Sequence, residues 1–334
     1  MDELPLDQVR TLLAVVDEGT FDAAAAALHV TPSAVSQRVK ALEQRTGRVL
    51  LMRTKPVRAT ESGHVVVRFA RQLARLERDA RAELGMARGE GGAVRLPIAV
   101  NADSLATWFL PALARVPQDP PVLFELHRED ESHTTALLRE GQVMAAVTSS
   151  PDPVAGCSVR GLGLARYLPV AGPDFVARHL ADAVESSRPG VLERALRRAP
   201  VIVFDRRDVL QDVFVRSLAD DGGVGEGADA GEGADTGERA DTGEGEGAGP
   251  MRHYMPTSEG FCEAVASGLG WGLVPQPQAE PLVRSGALVL LAPRRPLDVP
   301  LYWQQWKLDS PALSLVAEVV AAAAAQALLP GGAA

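Results

Sequence analysis

Over residues 6–16 the apolar positions Val9, Leu12, Leu13 and Val16 recur at the helical period, and Gly19 follows where a left-handed C-terminal cap would sit. The spacing predicts one short helix. Thr20 then offers an N-cap hydroxyl to FDAAAAALHV, whose alanines favour helix and let neighbouring backbones come close, so a second helix should end near His29. Thr31 followed by Pro32 reads as an N-cap with proline at the first helical position, and Gly47 closes this third element. Within it Val35, Val39, Leu42 and Thr46 share one face by their three- and four-residue spacing, directed at the first two helices. Ser33, Ser36, Gln37 and Lys40 share the other, with Arg38 at its flank.

After Gly47, RVLLMRTKPVRAT predicts a two-stranded ribbon anchored by Leu50 and Leu51, with Arg53, Lys55 and Arg58 near its tip. From Thr60, TESGHVVVRFARQLARLERDARAELG predicts a long helix in which Val66, Phe69, Leu73, Leu76 and Ala80 form a stripe while arginines fill the outside. So narrow a stripe suits a coiled-coil seam between two chains, although packing onto the chain's own later domain would leave the same periodicity. Beyond the glycine-rich GEGGAV the pattern alternates: strands at 94–100, 122–127 and 144–147, helices at 105–115 and 134–139, then strands in LARYLPVAG, PVIVFD, GWGLVPQ, ALVLL and LYWQQW. This predicts α/β sheets with helices on both faces, in which ligands sit beyond the carboxyl ends of the strands.

Composition adds exclusions. Of the 334 residues 46% are hydrophobic, yet no run reaches the roughly 18 uninterrupted apolar residues of a membrane span. Residues 313–329 come closest, but Glu318 and Gln326 interrupt them and alanine dominates, which suits a packed terminal helix. The opening MDELPLDQ carries acids where a signal peptide needs cations, and Cys157 and Cys262 offer neither a disulfide framework nor a metal knuckle. A reduced, cytoplasmic protein is expected. The net charge of -9 speaks at first against a polyanionic partner. Residues 219–250, however, hold ten acids against Arg239 alone, which accounts for all of it. Residues 34–60 hold Arg38, Lys40, Arg45, Arg48, Arg53, Lys55 and Arg58 against Glu43 alone. The acidic stretch, with almost no large apolar residue, predicts a disordered insert over 220–249. It is either a tolerated surface excursion or a polyanion competing with DNA for the basic patch, in which case its deletion would tighten DNA binding at low salt.

The polar face of the third helix combines a helix N-terminus, small hydroxyls that permit close approach, and an amide and cations able to meet base edges and phosphates. A helix-turn-helix lays such a helix in the major groove, and a basic wing grips the neighbouring phosphates. Ser33, Ser36, Gln37 and Arg38 are the candidates for base or groove contacts, Lys40, Arg53 and Lys55 for phosphates, and the cap residue Thr31 stands at the same edge. The block AVVDEGTFDAAAAALHVTPSAVSQRVKALEQRTGRVLLMRTKPVRATESG resembles the winged helix-turn-helix of the LysR-type transcriptional regulators and is most similar to their arginine- and lysine-sensing ArgP/LysG branch; the likeness is dense over about the first 65 residues.

That resemblance implies an α/β chain with an N-terminal all-α winged helix-turn-helix over residues 1–60 and a long linker or dimerisation helix over 61–88. Two α/β subdomains like those of periplasmic solute-binding proteins follow, joined by crossover strands with an effector in the cleft. One would comprise 94–161 plus 268–334, the other 162–267, containing the insert. It also implies a homodimer or homotetramer on an operator with an inverted repeat in double-stranded DNA, RNA polymerase as a further partner, no cofactor, and activation of an amino-acid exporter gene in response to lysine or arginine.

The strand ends supply effector candidates. After the first strand, Asp103 and Ser104 in VNADSLATWFL either accompany a helix N-terminus that receives a carboxylate or merely cap that helix. ELHREDESH offers Glu125, Glu129 and Asp130, VTSS offers Thr148 and Ser149, FDRRD offers Asp205, and YMPTSEG offers Thr257 and Ser258 at the start of another helix. A free amino acid needs hydroxyls or amides for its carboxylate and an acid for its amine, and a basic one needs a further acid.

Two other readings compete. A metal-dependent enzyme would start from His127 and His133 with Glu129 or Asp130, but two histidines six apart share no helix face and neither HExxH nor GxSxG occurs. The glycines of GLGWGLVP enter a strand instead of leaving one, which suits a tight turn more than a nucleotide loop. An effector-independent architectural protein or repressor would show no saturable response to a small molecule.

Overall fold

The structure, a computed structural model, describes residues 3–84, 86, 93–119, 121–128, 131–186, 188, 190–219 and 251–331. Glu129, Asp130, the insert expected at 220–249 and most of GEGGAV lie outside the described residues.

Local signals build the N-terminal part. Helix α1 (Leu6–Glu18) ends at Gly19, whose φ of 71° lies in the left-handed region. Helix α2 (Phe21–Ala27) begins at Thr20, whose hydroxyl accepts the Ala23 N–H, and α3 (Pro32–Thr46) begins at Thr31, whose hydroxyl accepts the Ala34 N–H. Val9, Leu12, Val15, Ala24, Val35, Val39 and Leu42 meet in one core. Strands β1 (Leu51–Met52) and β2 (Arg58–Ala59) pair antiparallel and lower Leu50, Leu51, Val57 and Ala59 into that core.

Helix α4 (Glu61–Glu83) does not use its stripe as the spacing implied. Val66, with Val67 and Ala70, is buried in the winged-helix core, because a β-carbon on Gly63 would lie only 1.9 Å from the Leu50 carbonyl oxygen and the helix therefore runs tight against the wing. Val65, Phe69 and Leu76 stay exposed at 56%, 39% and 48%. The outward stripe is shifted by one residue at its start.

The described residues divide into two compact units, 1–164 with 300–334 and 165–299. In the first, β3 (Val94–Val100) pairs in parallel with β4 (Val122–Arg128) on one side and β5 (Ala145–Thr148) on the other. Between β3 and β4 lie α5 (Ala102–Ser104), a π-helical turn (Leu105–Phe109) and α6 (Leu110–Leu113); α7 (Glu131–Glu140) precedes β5.

Strand β6 (Cys157–Ala171) carries the chain into the second unit. There follow α8 (Pro173–His179), α9 (Ala181–Val184), α10 (Val191–Arg198), β7 (Val201–Val203), α11 (Leu210–Ala219), β8 (Arg252–Tyr254), α12 (Ser258–Ala266), β9 (Gly272–Pro275), α13 (Gln276–Ser285) and β10 (Val289–Leu290). Its cores gather Phe175, Leu196, Phe214 and Trp271 on one side and Ile202, Phe261, Val265 and Val274 on another. β11 (Leu297–Trp306) returns the chain, runs antiparallel to β5 and leads to α14 (Pro311–Ala327).

The expected return near Gly268 is thus corrected to Pro300. β9 and β10 both pair antiparallel with the Tyr167–Ala171 end of β6, and Val274 and Leu288 pack on Phe261 and Val265, so 268–299 belongs to the second unit. Among the described residues no helix is long and apolar enough to cross a membrane.

Candidate DNA interface and effector site

On α3, Ser33, Ser36, Gln37 and Lys40 are exposed on the face away from Val35, Val39 and Leu42. Thr31 is exposed too, its hydroxyl 3.0 Å from that of Ser33. Arg38 departs from this group. Its Nη1 donates to the Thr11 hydroxyl at 3.4 Å, and its Nε lies 3.6 Å from an Asp7 carboxylate oxygen. Buried Thr11 in turn donates to the Asp7 carbonyl at 2.7 Å, so Arg38 ties α3 to α1 at the flank of the exposed face.

On the wing, Arg53 stacks its guanidinium 5.9 Å from the Phe21 ring centroid, and Lys55 is exposed in the turn between the strands. A residue that pattern reading passed over sets the wing's start: Glu43 accepts the Leu50 N–H at 2.8 Å and the Leu51 N–H at 3.4 Å. A carboxylate accepting two backbone amides fixes where the ribbon leaves α3. A small exposed polar face, flanked by cations and rigidly joined to a basic ribbon, is what reading base edges and gripping phosphates require.

In the first unit the parallel run of β3, β4 and β5 brings their carboxyl ends to one edge. There Asn101, not Asp103 or Ser104, caps the following helix: its side-chain oxygen accepts the Ser104 N–H at 3.3 Å. β3 ends at Val100, so Asn101 is the last extended residue, and Ser104 falls in the first turn, 2% exposed. The Asp103 carbonyl accepts the Thr107 hydroxyl at 2.6 Å. The π-helical turn widens the same first turns, a distortion often found at functional sites.

Thr148 ends β5, 1% exposed, and accepts the Ser150 N–H at 3.2 Å. Glu125 does not reach this edge. It stands mid-strand opposite Pro97, on an exposed side chain 3.4 Å from His127 Nε2. Asp130 lies outside the described residues. Asn101 was findable as an N-cap type directly before a helix; the missed signal was where the strand stops.

In the second unit β7 and β8 are parallel, and Asp205, Thr257 and Ser258 follow their carboxyl ends. Asp205 is engaged locally, accepting the Arg207 N–H at 2.7 Å and the Asp208 N–H at 3.1 Å. Thr257 caps α12 by accepting the Gly260 N–H at 3.1 Å, while the buried Ser258 hydroxyl donates to the Gln278 amide oxygen at 3.1 Å. Gly268, with φ of 77°, makes the tight turn before β9.

Among the described residues no group of three or more His, Cys, Asp or Glu side chains could hold a metal ion. Burial pushes the Cys157 thiol up to about 11 against the pull of Arg68 and Lys307, and raises that of Cys262, so both stay protonated and unreactive at neutral pH.

A model of the bacterial regulatory helix-turn-helix proteins of the lysR family matches residues 6–64. The crystal structure of ArgP from Mycobacterium tuberculosis is similar to this chain with a TM-score of 0.78 and 43% identity, covering 97% of this chain and 98% of that one. The chain belongs to the LysR family. Full-length LysG from Corynebacterium glutamicum with bound effector Arg is similar to this LysR-family protein with a TM-score of 0.74 and 37% identity, over 98% of this chain and 100% of that one. The lysine export transcriptional regulatory protein LysG of Corynebacterium efficiens is 42% identical over 324 residues, 97% of this chain and 98% of its own. These relatives are transcriptional regulators, and the protein is accordingly a LysR-type transcriptional regulator and not an enzyme.

Proposed function

We propose that this regulator senses a free basic amino acid, arginine or lysine, and couples it to DNA reading by α3. The observation that carries the reading is the likeness, along nearly the whole chain, to a LysG whose structure holds Arg as its effector. Ser33, Ser36 and Gln37 meet base edges in the major groove, with Lys40, Arg53 and Lys55 on phosphates and Thr31 at the helix start. Two chains pair through Val65, Phe69 and Leu76 of α4, so that two recognition helices meet an inverted repeat, and dimers associate further into tetramers.

Candidates to meet the effector's charged groups stand at the strand edge of each unit by itself: Asn101, Asp103, Ser104 and Thr148 in the first, and Asp205, Thr257 and Ser258 in the second. Ligation acts by its different affinity for two states of the protein, a coupling free energy between effector and operator. The output is activation of an exporter gene by contact with RNA polymerase in the cytoplasm, a reading supported by the name of the Corynebacterium efficiens relative.

A thermal-shift panel of the purified protein with the twenty amino acids tests this, because a ligand of the folded state raises apparent stability with its concentration. A rise confined to arginine, lysine or histidine is expected. No rise with any of them would end the basic amino-acid reading while leaving DNA binding intact.

A further inference from the structure

We propose that Gln304 is a positioning residue of the effector site, an inference that rests on the amino-acid-sensing reading above. Gln304 lies on β11 opposite Ala146 of β5 and is 0% exposed. Every polar atom of its amide is used. The side-chain oxygen accepts the Val154 N–H at 3.0 Å, and the nitrogen donates to the Ser150 carbonyl at 3.1 Å and the Asp152 carbonyl at 2.8 Å. All three partners are backbone groups of the segment that joins β5 to β6.

An amide alone among side chains of this size supplies one acceptor and two donors together. Glutamate would keep the acceptor and lose both donors; methionine would keep the volume and lose all three bonds. Ser150, one of the residues held, gives its own N–H to the Thr148 hydroxyl at 3.2 Å. The chain of contacts therefore runs from the Gln304 amide through Ser150 to the last residue of β5. That strand end lies beside the end of β3, its hydrogen-bonded neighbour, where Asn101 caps the helix that buries Ser104.

A loop at the carboxyl edge of a parallel strand is where α/β proteins meet ligands, and a loop carries a precise site only when something rigid holds it. Gln304 is that support: a residue of an antiparallel strand that sets where the Ser150 backbone stands and, through it, the Thr148 hydroxyl. A buried glutamine that served stability alone would leave affinity for the effector unchanged when replaced.

The test uses the full chain with Gln304→Met, Gln304→Glu and, as a core control in the same unit, Leu138→Ala, whose side chain is likewise 0% exposed. Arginine affinity is measured by calorimetric titration, and operator affinity without arginine by fluorescence anisotropy. Both Gln304 variants should bind arginine about tenfold more weakly or worse while operator affinity changes less than about twofold. Leu138→Ala should lower the melting temperature without moving the arginine affinity. Should Gln304→Met fail to fold, Gln304→Glu, which keeps the bond to Val154, carries the comparison. Arginine affinity within about twofold of wild type in the folded variants would overturn the role of Gln304 alone. Wild-type protein that binds no basic amino acid in the same titration would overturn the effector reading and this proposal with it.

Discussion

Helix α3 and the helix that starts at Ala102 open in the same way and finish with opposite surfaces. Each begins at a polar residue whose side chain accepts an amide three positions on: Thr31 from Ala34 at 3.2 Å, Asn101 from Ser104 at 3.3 Å. On α3 Ser33, Ser36, Gln37 and Lys40 stay exposed; after Asn101, itself 7% exposed, Ser104 is drawn into the protein at 2% and Asp103 is half-buried. Exposed polar groups can wait for a large, charged, wet partner such as DNA, since water satisfies them until it arrives. Buried ones must be bonded at all times, so they can only serve a small ligand that replaces or extends bonds already made.

The contrast depends on α3 being held rigidly, and its most sensitive point is the junction of wing and linker. A methyl group at Gly63 would meet the Leu50 carbonyl oxygen at 1.9 Å, against backbone that cannot swing aside. Gly63→Ala is expected to cost about 3 kcal/mol, measured as a fall in melting temperature with loss of operator binding. An unchanged melting temperature would remove the packing account of α4.

Next in size is Gln37→Ala. Because Gln37 is exposed, folding stability should stay constant while specific DNA binding weakens by about 1 to 3 kcal/mol and binding to random DNA does not. Equal loss on both DNAs would turn Gln37 into a backbone contact. Arg38→Ala separates two roles for a residue fastened to Thr11 and Asp7: a base reader loses sequence preference, whereas a tie between helices weakens all DNA binding together.

The two caps sharpen the comparison directly. Asn101→Ala should destabilise by about 1 kcal/mol and also weaken arginine binding, and Thr31→Ala, at an exposed cap, should cost less, about 0.5 kcal/mol. Equal costs would mean that burial does not distinguish the two helix starts.

How much of this was legible in the chain follows the same division. α1, α2 and α3 were readable because Gly19, Thr20, Thr31, Pro32 and Gly47 are signals that act within a few residues. The exposed face of α3 was readable because solvent asks nothing of distant residues. What failed needed partners far along the chain. Residues 268–299 fall in the second unit, against the expectation from local pattern, because β9 and β10 pair with β6, far earlier in the chain. Val66 fitted the seam by period, and only the close approach at Gly63 draws it into the winged-helix core. Whether Asp103 and Ser104 cap the helix or only accompany its start depends on where β3 ends, which its pairing with β4 sets, and Gln304 carries no signal beyond lying in a strand.

The smallest effect lies on the buried side and is silent at neutral pH. Cys157 is buried in β6, where burial lifts its thiol from an ordinary 9.0 to about 11. Below pH 9 it is protonated in both folded and unfolded chains, so it adds no pH dependence there. Between 9 and 11 the unfolded thiol gives up its proton while the folded one keeps it, so unfolding releases a proton and stability falls as pH rises. Cys157→Ala removes that term while leaving Cys262, whose burial acts in the same direction, as an internal standard. The difference in melting temperature between wild type and variant should therefore be constant up to pH 9 and narrow from there to pH 11. Curves that stay parallel throughout would mean that water reaches the thiol and that this stretch of β6 is less well sealed than its packing indicates.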